Sequence, residues 1–157
     1  MAEITLGKAL KIKNRLVGRL AKVQIDIVTF NSIPEGQAGQ VNVPSLMQTR
    51  EALVEAIVAL KTAINDANRE VQRTIYDLAE KKATAQFLGG VSTRHGPQPP
   101  VYPSTIEVNY VAALKKADVD AQVVKLENDI DQLQDRLDQF NHDRKIEVEG
   151  RILELAS

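Results

Sequence analysis

One rhythm constrains this chain more than any other feature. Between residues 119 and 140 the apolar side chains Val119, Val123, Leu126, Ile130, Leu133, Leu137 and Phe140 recur at alternating gaps of four and three. That is heptad spacing on a helix. The flanking positions Asp120, Gln122, Glu127, Asp129, Gln134 and Arg136 are polar. A stripe only two positions wide in every seven marks a coiled-coil seam rather than a helix sunk in a core. At 1.5 Å per residue the segment spans about 33 Å. Its seven apolar residues are therefore candidate protein-interface positions. The seam requires a partner helix, in this chain or in another copy.

The rest of the chain supplies further helices. Leu6, Ala9, Lys13, Leu16, Leu20, Val23, Ile27 and Phe30 follow Thr5, a good N-cap, at gaps of three and four and predict a helix over about 5–30, with Lys13 snorkelling its charge to the edge of the stripe. Leu10, Ile12 and Val17 widen this stripe, as expected of a helix buried against more than one neighbour. Ser45 is the expected cap of a second helix over about 45–67, with Leu46, Leu53, Ile57, Leu60, Ile64 and Ala67 on its apolar face. Ala52, Ala56, Ala59 and Ala63 run beside that face and permit close approach of another helix. The polar stretch 68–73 predicts a break, with one continuous helix over 45–88 as the alternative, since no Pro or Gly interrupts it. Thr74 with Asp77 then resembles a capping box, opening a third helix over about 74–88. Asp118 is the expected cap of the last helix, over about 118–141.

Gly- and Pro-rich stretches at 31–44 and 89–104 read as loops, with a short edge strand over 40–43 inside the first. Strands are expected at about 105–111, where Ile106, Val108 and Tyr110 alternate, and at about 145–149, with Ile146 and Val148. These two strands are expected to pair. The predicted fold is mainly α: a single domain over 1–157, an antiparallel helical bundle or coiled coil with a small β element from short strands.

A net charge of −1 over 157 residues conceals a strong asymmetry. The segment 118–143 carries eight acids and two bases, net −6; the segment 4–25 carries six bases and no acid. The first and last helices should therefore attract, within one chain or between copies. Exposed ion pairs contribute only about 0–1 kcal/mol each, so charge selects the partner while apolar burial holds it. Five of the bases, Lys8, Lys11, Arg15, Arg19 and Lys22, recur at gaps of three and four and share one face. Such a face is a candidate anion or nucleic-acid site. It also suits an anionic membrane surface, with Leu6, Leu10, Val17 and Leu20 dipping in.

Catalytic signals are weak. There is no cysteine, which excludes disulfides and thiolate metal sites. Asp118 with Asp120, and Asp129 with Asp131, stand two apart and so face different sides of a helix, a poor arrangement for chelation. Ser92 and His95 lie close in "GGVSTRHG", yet no nucleophile elbow or phosphate-binding loop surrounds them. His142, near a helix end, suits the helix dipole. No catalytic residue, metal or cofactor is expected. Three Phe, three Tyr and no Trp argue against a base-stacking platform. The N-terminal stretch lacks a secretory h-region, and no run approaches the ~18 apolar residues of a membrane span. The expected setting is cytoplasmic, or a virion if the chain is phage-encoded.

The stretches "LGKALKIKNRL", "ALKTAINDAN" with "TIYDLAEKKA", and "DVDAQVVKLENDIDQLQDRLDQFN" resemble, in order and spacing, the septicolysin-like family of small helical bacterial proteins. That family commonly places Trp after the final Asn; here His142 follows Asn141. The resemblance implies a helical protein with small strands and no catalytic residues to carry over. The expected function is a non-enzymatic, self-associating structural or adaptor protein: a homo-oligomer or a subunit of a larger, phage-like assembly. Nucleic-acid binding through the basic first helix is the alternative.

Overall fold

The computed structural model describes residues 1–37, 39 and 41–157. It is mainly α-helical with two small antiparallel sheets. In chain order the elements are β1 (Ala2–Thr5), α1 (Leu6–Phe30), α2 (Val43–Asn68), α3 (Gln72–Gly89), β2 (Gly96–Gln98), β3 (Val108–Tyr110), α4 (Lys116–Asp143), β4 (Lys145–Val148) and α5 (Gly150–Leu155). The chain forms two compact units, residues 1–70 with 138–157, and residues 71–137.

The first unit is built on a hairpin of α1 and α2. Thr5 caps α1, its hydroxyl oxygen accepting the Lys8 N–H at 3.2 Å. The apolar stripes of α1 and α2 face each other, and Leu6, Leu16, Leu53 and Leu60 are fully buried between them. Three contacts fix the direction. The Leu6 N–H donates to the Arg144 carbonyl at 2.7 Å, and the Arg144 guanidinium pairs with Glu70 at 2.9 Å, so the start of α1 lies beside the end of α2. Farther along, α5 meets Arg15 and Arg19 of α1 and lies against Ala52, Ala56 and Ala59 of α2. The helices are thus antiparallel, and residues whose numbers sum to roughly 75 lie level, since both advance 1.5 Å per residue.

β1 and β4 form an antiparallel ribbon with Ala2 opposite Val148 and Ile4 opposite Ile146. Ile4 and Val148 bury their side chains in the α1–α2 core, while Glu3 and Glu147 face each other on the outer side. Like charges directly opposite are unfavourable; the Lys145 ammonium, 2.8 Å from Glu3, offsets them. This ribbon corrects the expected pairing of the 105–111 and 145–149 segments. The hydrophobic alternation located both strands, but Ala2–Thr5 is too short to stand out in the sequence as the partner of β4. Beyond Glu149 the chain is helical: α5 buries Ile152, and Ala156 just after the helix is buried in the same core.

The second unit is another antiparallel helical hairpin, α3 against α4, tied by Lys81 to Asp129 at 2.9 Å and by Lys82 to Gln134 at 3.4 Å. Its connection carries the β2–β3 hairpin, with Gly96 opposite Tyr110 and Gln98 opposite Val108. The strand read over 105–111 shortens to Val108–Tyr110.

Several helix starts also differ from expectation. Asn42, not Ser45, caps α2, its Oδ1 accepting the Ser45 N–H, with Pro44 in the first turn. Pro at the start of a helix needs no donor, which moves the start upstream. A 3₁₀ turn at Arg69–Val71 separates α2 from α3, in the polar stretch where a break was expected. Val71 then occupies the cap position with no side-chain bond, so Thr74 caps nothing. α4 begins at Lys116, leaving Asp118 in its first turn, where a carboxylate favours the helix dipole. The edge strand expected over 40–43 falls partly outside the described residues; Val43 opens α2.

Two glycines in α1 have opposite surroundings. A Cβ at Gly18 meets nothing within 4 Å, whereas one at Gly7 would lie 3.3 Å from the Asn141 carbonyl oxygen. Gly18→Ala should therefore raise stability by roughly 0.5–1 kcal/mol, the helix-propensity difference. Gly7→Ala should give back most of that gain. Paired urea melts followed by circular dichroism read the contrast directly.

Candidate protein-interaction surfaces

The α4 seam finds a partner within the chain. Val119 and Leu137 are buried in the second unit; between them Val123, Leu126, Ile130 and Leu133 are half-buried. The composition of α3 explains this. It offers Ile75, Leu78, Ala85 and Leu88 toward α4, with Lys81 and Lys82 at mid-length. Lys81 holds the Asp129 carboxyl below its ordinary range, chiefly through their hydrogen bond and then through charge attraction. Two helices alone cannot enclose a heptad seam, so its middle stays half in water. Phe140, the last seam residue, belongs to the first unit and packs on that unit's core.

Two of the five basic residues of α1 reach the end of α5. Arg15 donates through Nη1 to the Ala156 carbonyl at 2.9 Å, and Arg19 to the Leu155 carbonyl at 2.7 Å. The last carbonyls of a helix lack intrahelical donors and carry partial negative charge. The two guanidinium groups satisfy them and fasten α5 to α1. Lys8 and Lys11 stay exposed and line an open cleft with Thr5, Asn141, His142 and Asp138. Lys22 is exposed farther along. Within each unit α1 packs along α2 and α4 along α3. Apolar patterning decides which helices pair, and charge decorates them.

The loop that carried Ser92 and His95 is a structural joint. His95 Nδ1 accepts the Ala112 N–H at 3.1 Å, and the Lys115 ammonium lies 3.2 Å from Nε2. His95 thus fastens the base of the β2–β3 hairpin. Above it Arg94 sits over the Tyr110 ring, 5.8 Å from its centroid, a cation–π contact. The hairpin presents Val101, Tyr102, Ile106 and Val111 to solvent. The sequence reading placed Val101 and Tyr102 in a Gly- and Pro-rich loop and Ile106 and Val111 in a strand, and so did not join them into one patch.

Aromatic exposure is concentrated in the second unit. Tyr102 is 94% exposed, Phe87 68%, Tyr76 63% and Tyr110 40%. The other two aromatics, Phe30 and Phe140, are half-buried in the first unit. On α3, Tyr76, Ala83 and Phe87 stand seven and four apart, so they share a face turned from Leu78 and Leu88. Among the described residues no three His, Cys, Asp or Glu side chains are grouped to hold a metal ion. No helix of the described chain is long and apolar enough to cross a membrane. No family model, curated protein or solved structure matches the chain.

Proposed function

We propose that this protein is a non-enzymatic helical scaffold that self-associates and offers its second unit to protein partners. It would serve as a structural or adaptor subunit of a larger assembly, such as a virion. One observation carries this reading: four of the six aromatic side chains are exposed, all in the second unit. Aromatics usually bury, and at protein–protein interfaces they supply much of the binding energy. A chain with so few aromatics that leaves most of them in water has a use for them outside its own core.

The nucleic-acid alternative draws less support. Two of the five basic side chains it would use are committed to α5 carbonyls, and Asp138 lines the cleft beside Lys8 and Lys11.

Light scattering during size-exclusion chromatography, at low and high salt and with absorbance at 260 and 280 nm, tests both readings. The expected result is a defined multimer whose mass survives high salt and whose absorbance ratio is that of protein alone. A monomer at every concentration removes self-association. A salt-sensitive species rich in 260 nm absorbance restores the alternative.

A further inference from the structure

The α1–α2 hairpin of the first unit has two broad faces. α5 covers one of them, touching α1 at Arg15 and Arg19 and α2 at Ala52, Ala56 and Ala59. At 100° per residue, Val17 lies about 200° around α1 from Arg15, and Val54 and Val58 lie equally far around α2 from Ala52 and Ala56. These residues therefore point to the opposite face. That face is apolar. α1 contributes Leu10, Val17, Ala21 and Val28, at gaps of seven, four and seven; α2 contributes Met47, Val54 and Val58, at gaps of seven and four. Both are heptad spacings. In the antiparallel hairpin Val17 lies level with Val58, Ala21 with Val54 and Val28 with Met47, so the two stripes merge into one strip. Val28 is 82% exposed, Val58 59%, Val17 43% and Met47 40%.

We infer that this strip is a homotypic interface, on which a second copy of the chain seats its own α1–α2 hairpin to complete a four-helix bundle. The inference rests on the self-association proposed above and specifies its surface.

Area selects this occupant. From Leu10 to Val28 the strip runs about 27 Å, and two helices 8–10 Å apart make it about 18 Å wide. Each copy then contributes roughly 500 Å², and a pair about 1,000 Å², the lower bound of specific interfaces. On the α1 side Asn14 and Gln24 stand among the apolar positions, and Lys13 lies at the edge of the strip, three residues after Leu10 and four before Val17. On α2, Arg50 and Lys61 interleave, with Glu51 beside them to pair across a two-fold axis. Five of the six bases of α1 lie on the α5 side, away from the strip, so of that block two copies oppose only Lys13. Two helices form one layer, and a stable core needs two. α5, at six residues, and the two four-residue strands of the β1–β4 ribbon supply only a partial second layer.

The test is sedimentation equilibrium of the full chain beside Val17→Glu/Val58→Glu. Both sites are exposed and Glu is a good helix former, so the variant should keep its helix content. The expected result is a wild-type dimer, or a multiple of it, and a variant whose dissociation constant is weakened at least 100-fold. A second measurement uses the absence of native cysteine. Ala21→Cys, at the middle of the strip, should give a covalent dimer on mild oxidation, because a central residue of a two-fold interface meets its own copy. Lys8→Cys, on the other side of α1, should not. If Val17→Glu/Val58→Glu keeps the wild-type mass, or if Ala21→Cys cross-links no faster than Lys8→Cys, the strip is not the interface, although self-association stands. If the wild type is monomeric throughout, both ideas fall.

Discussion

Leu60→Ala should lower the stability of the first unit by about 2–5 kcal/mol, the range for truncating a fully enclosed leucine. Leu60 has no exposed surface and sits in the cluster that α1, α2, the β1–β4 ribbon and α5 share. A cavity there lies inside the core that these elements share, and its surroundings relax only partly around it. Leu126→Ala, at a half-buried seam position of α4, should cost only about 1 kcal/mol, because much of that side chain already contacts water. Urea melts followed by circular dichroism, with amide hydrogen exchange resolved by segment, measure both. Exchange in residues 6–30 and 43–68 should quicken markedly for Leu60→Ala. If the two substitutions cost the same, the half-buried seam is better enclosed in solution than in the isolated chain.

The second large effect is expected at Ile152. This residue is buried, and it anchors α5 to the α1–α2 core. An unpaired carboxylate there costs several kcal/mol. A six-residue helix brings little stability of its own, since isolated helices shorter than about 12 residues are marginal in water. Ile152→Asp should therefore release α5 rather than bury a charge. Limited proteolysis should cut within 149–157 while residues 6–30 and 43–68 stay protected. Arg15→Met with Arg19→Met should loosen the same segment less, since those hydrogen bonds lie partly or fully in solvent. Resistance of 149–157 in the Ile152→Asp chain would mean that the carbonyl clamps, not the apolar contact, hold α5.

The helices were legible because each carries a strong period of its own. Leu16, Leu53 and Leu60 stand out from their neighbours, and burial follows them directly. Partner choice was less legible. The opposite charges of the first and last helices suggested a pair, but an exposed ion pair is a weak selector beside a buried leucine stripe. The short elements were hardest to read. β1 is four residues long and α5 six, lengths at which a period barely repeats, and both owe their shape to tertiary contact. Of the candidate sites, the α4 seam was visible as a pattern. That Arg15 and Arg19 serve α5 was not, because they lie more than 130 residues from the carbonyls they reach.

The antiparallel α3–α4 hairpin also works as a ruler. Its β2–β3 tip is displaced along the helix axis by the length of α3, 18 residues or about 27 Å. Adding seven residues to α3 and seven to α4 at matched levels would carry the tip outward by about 10 Å and turn it by about 20°, leaving the remaining seam in register. A relative of different reach can thus arise by paired heptad insertion alone, and an unpaired insertion would break the register that joins Lys81 to Asp129.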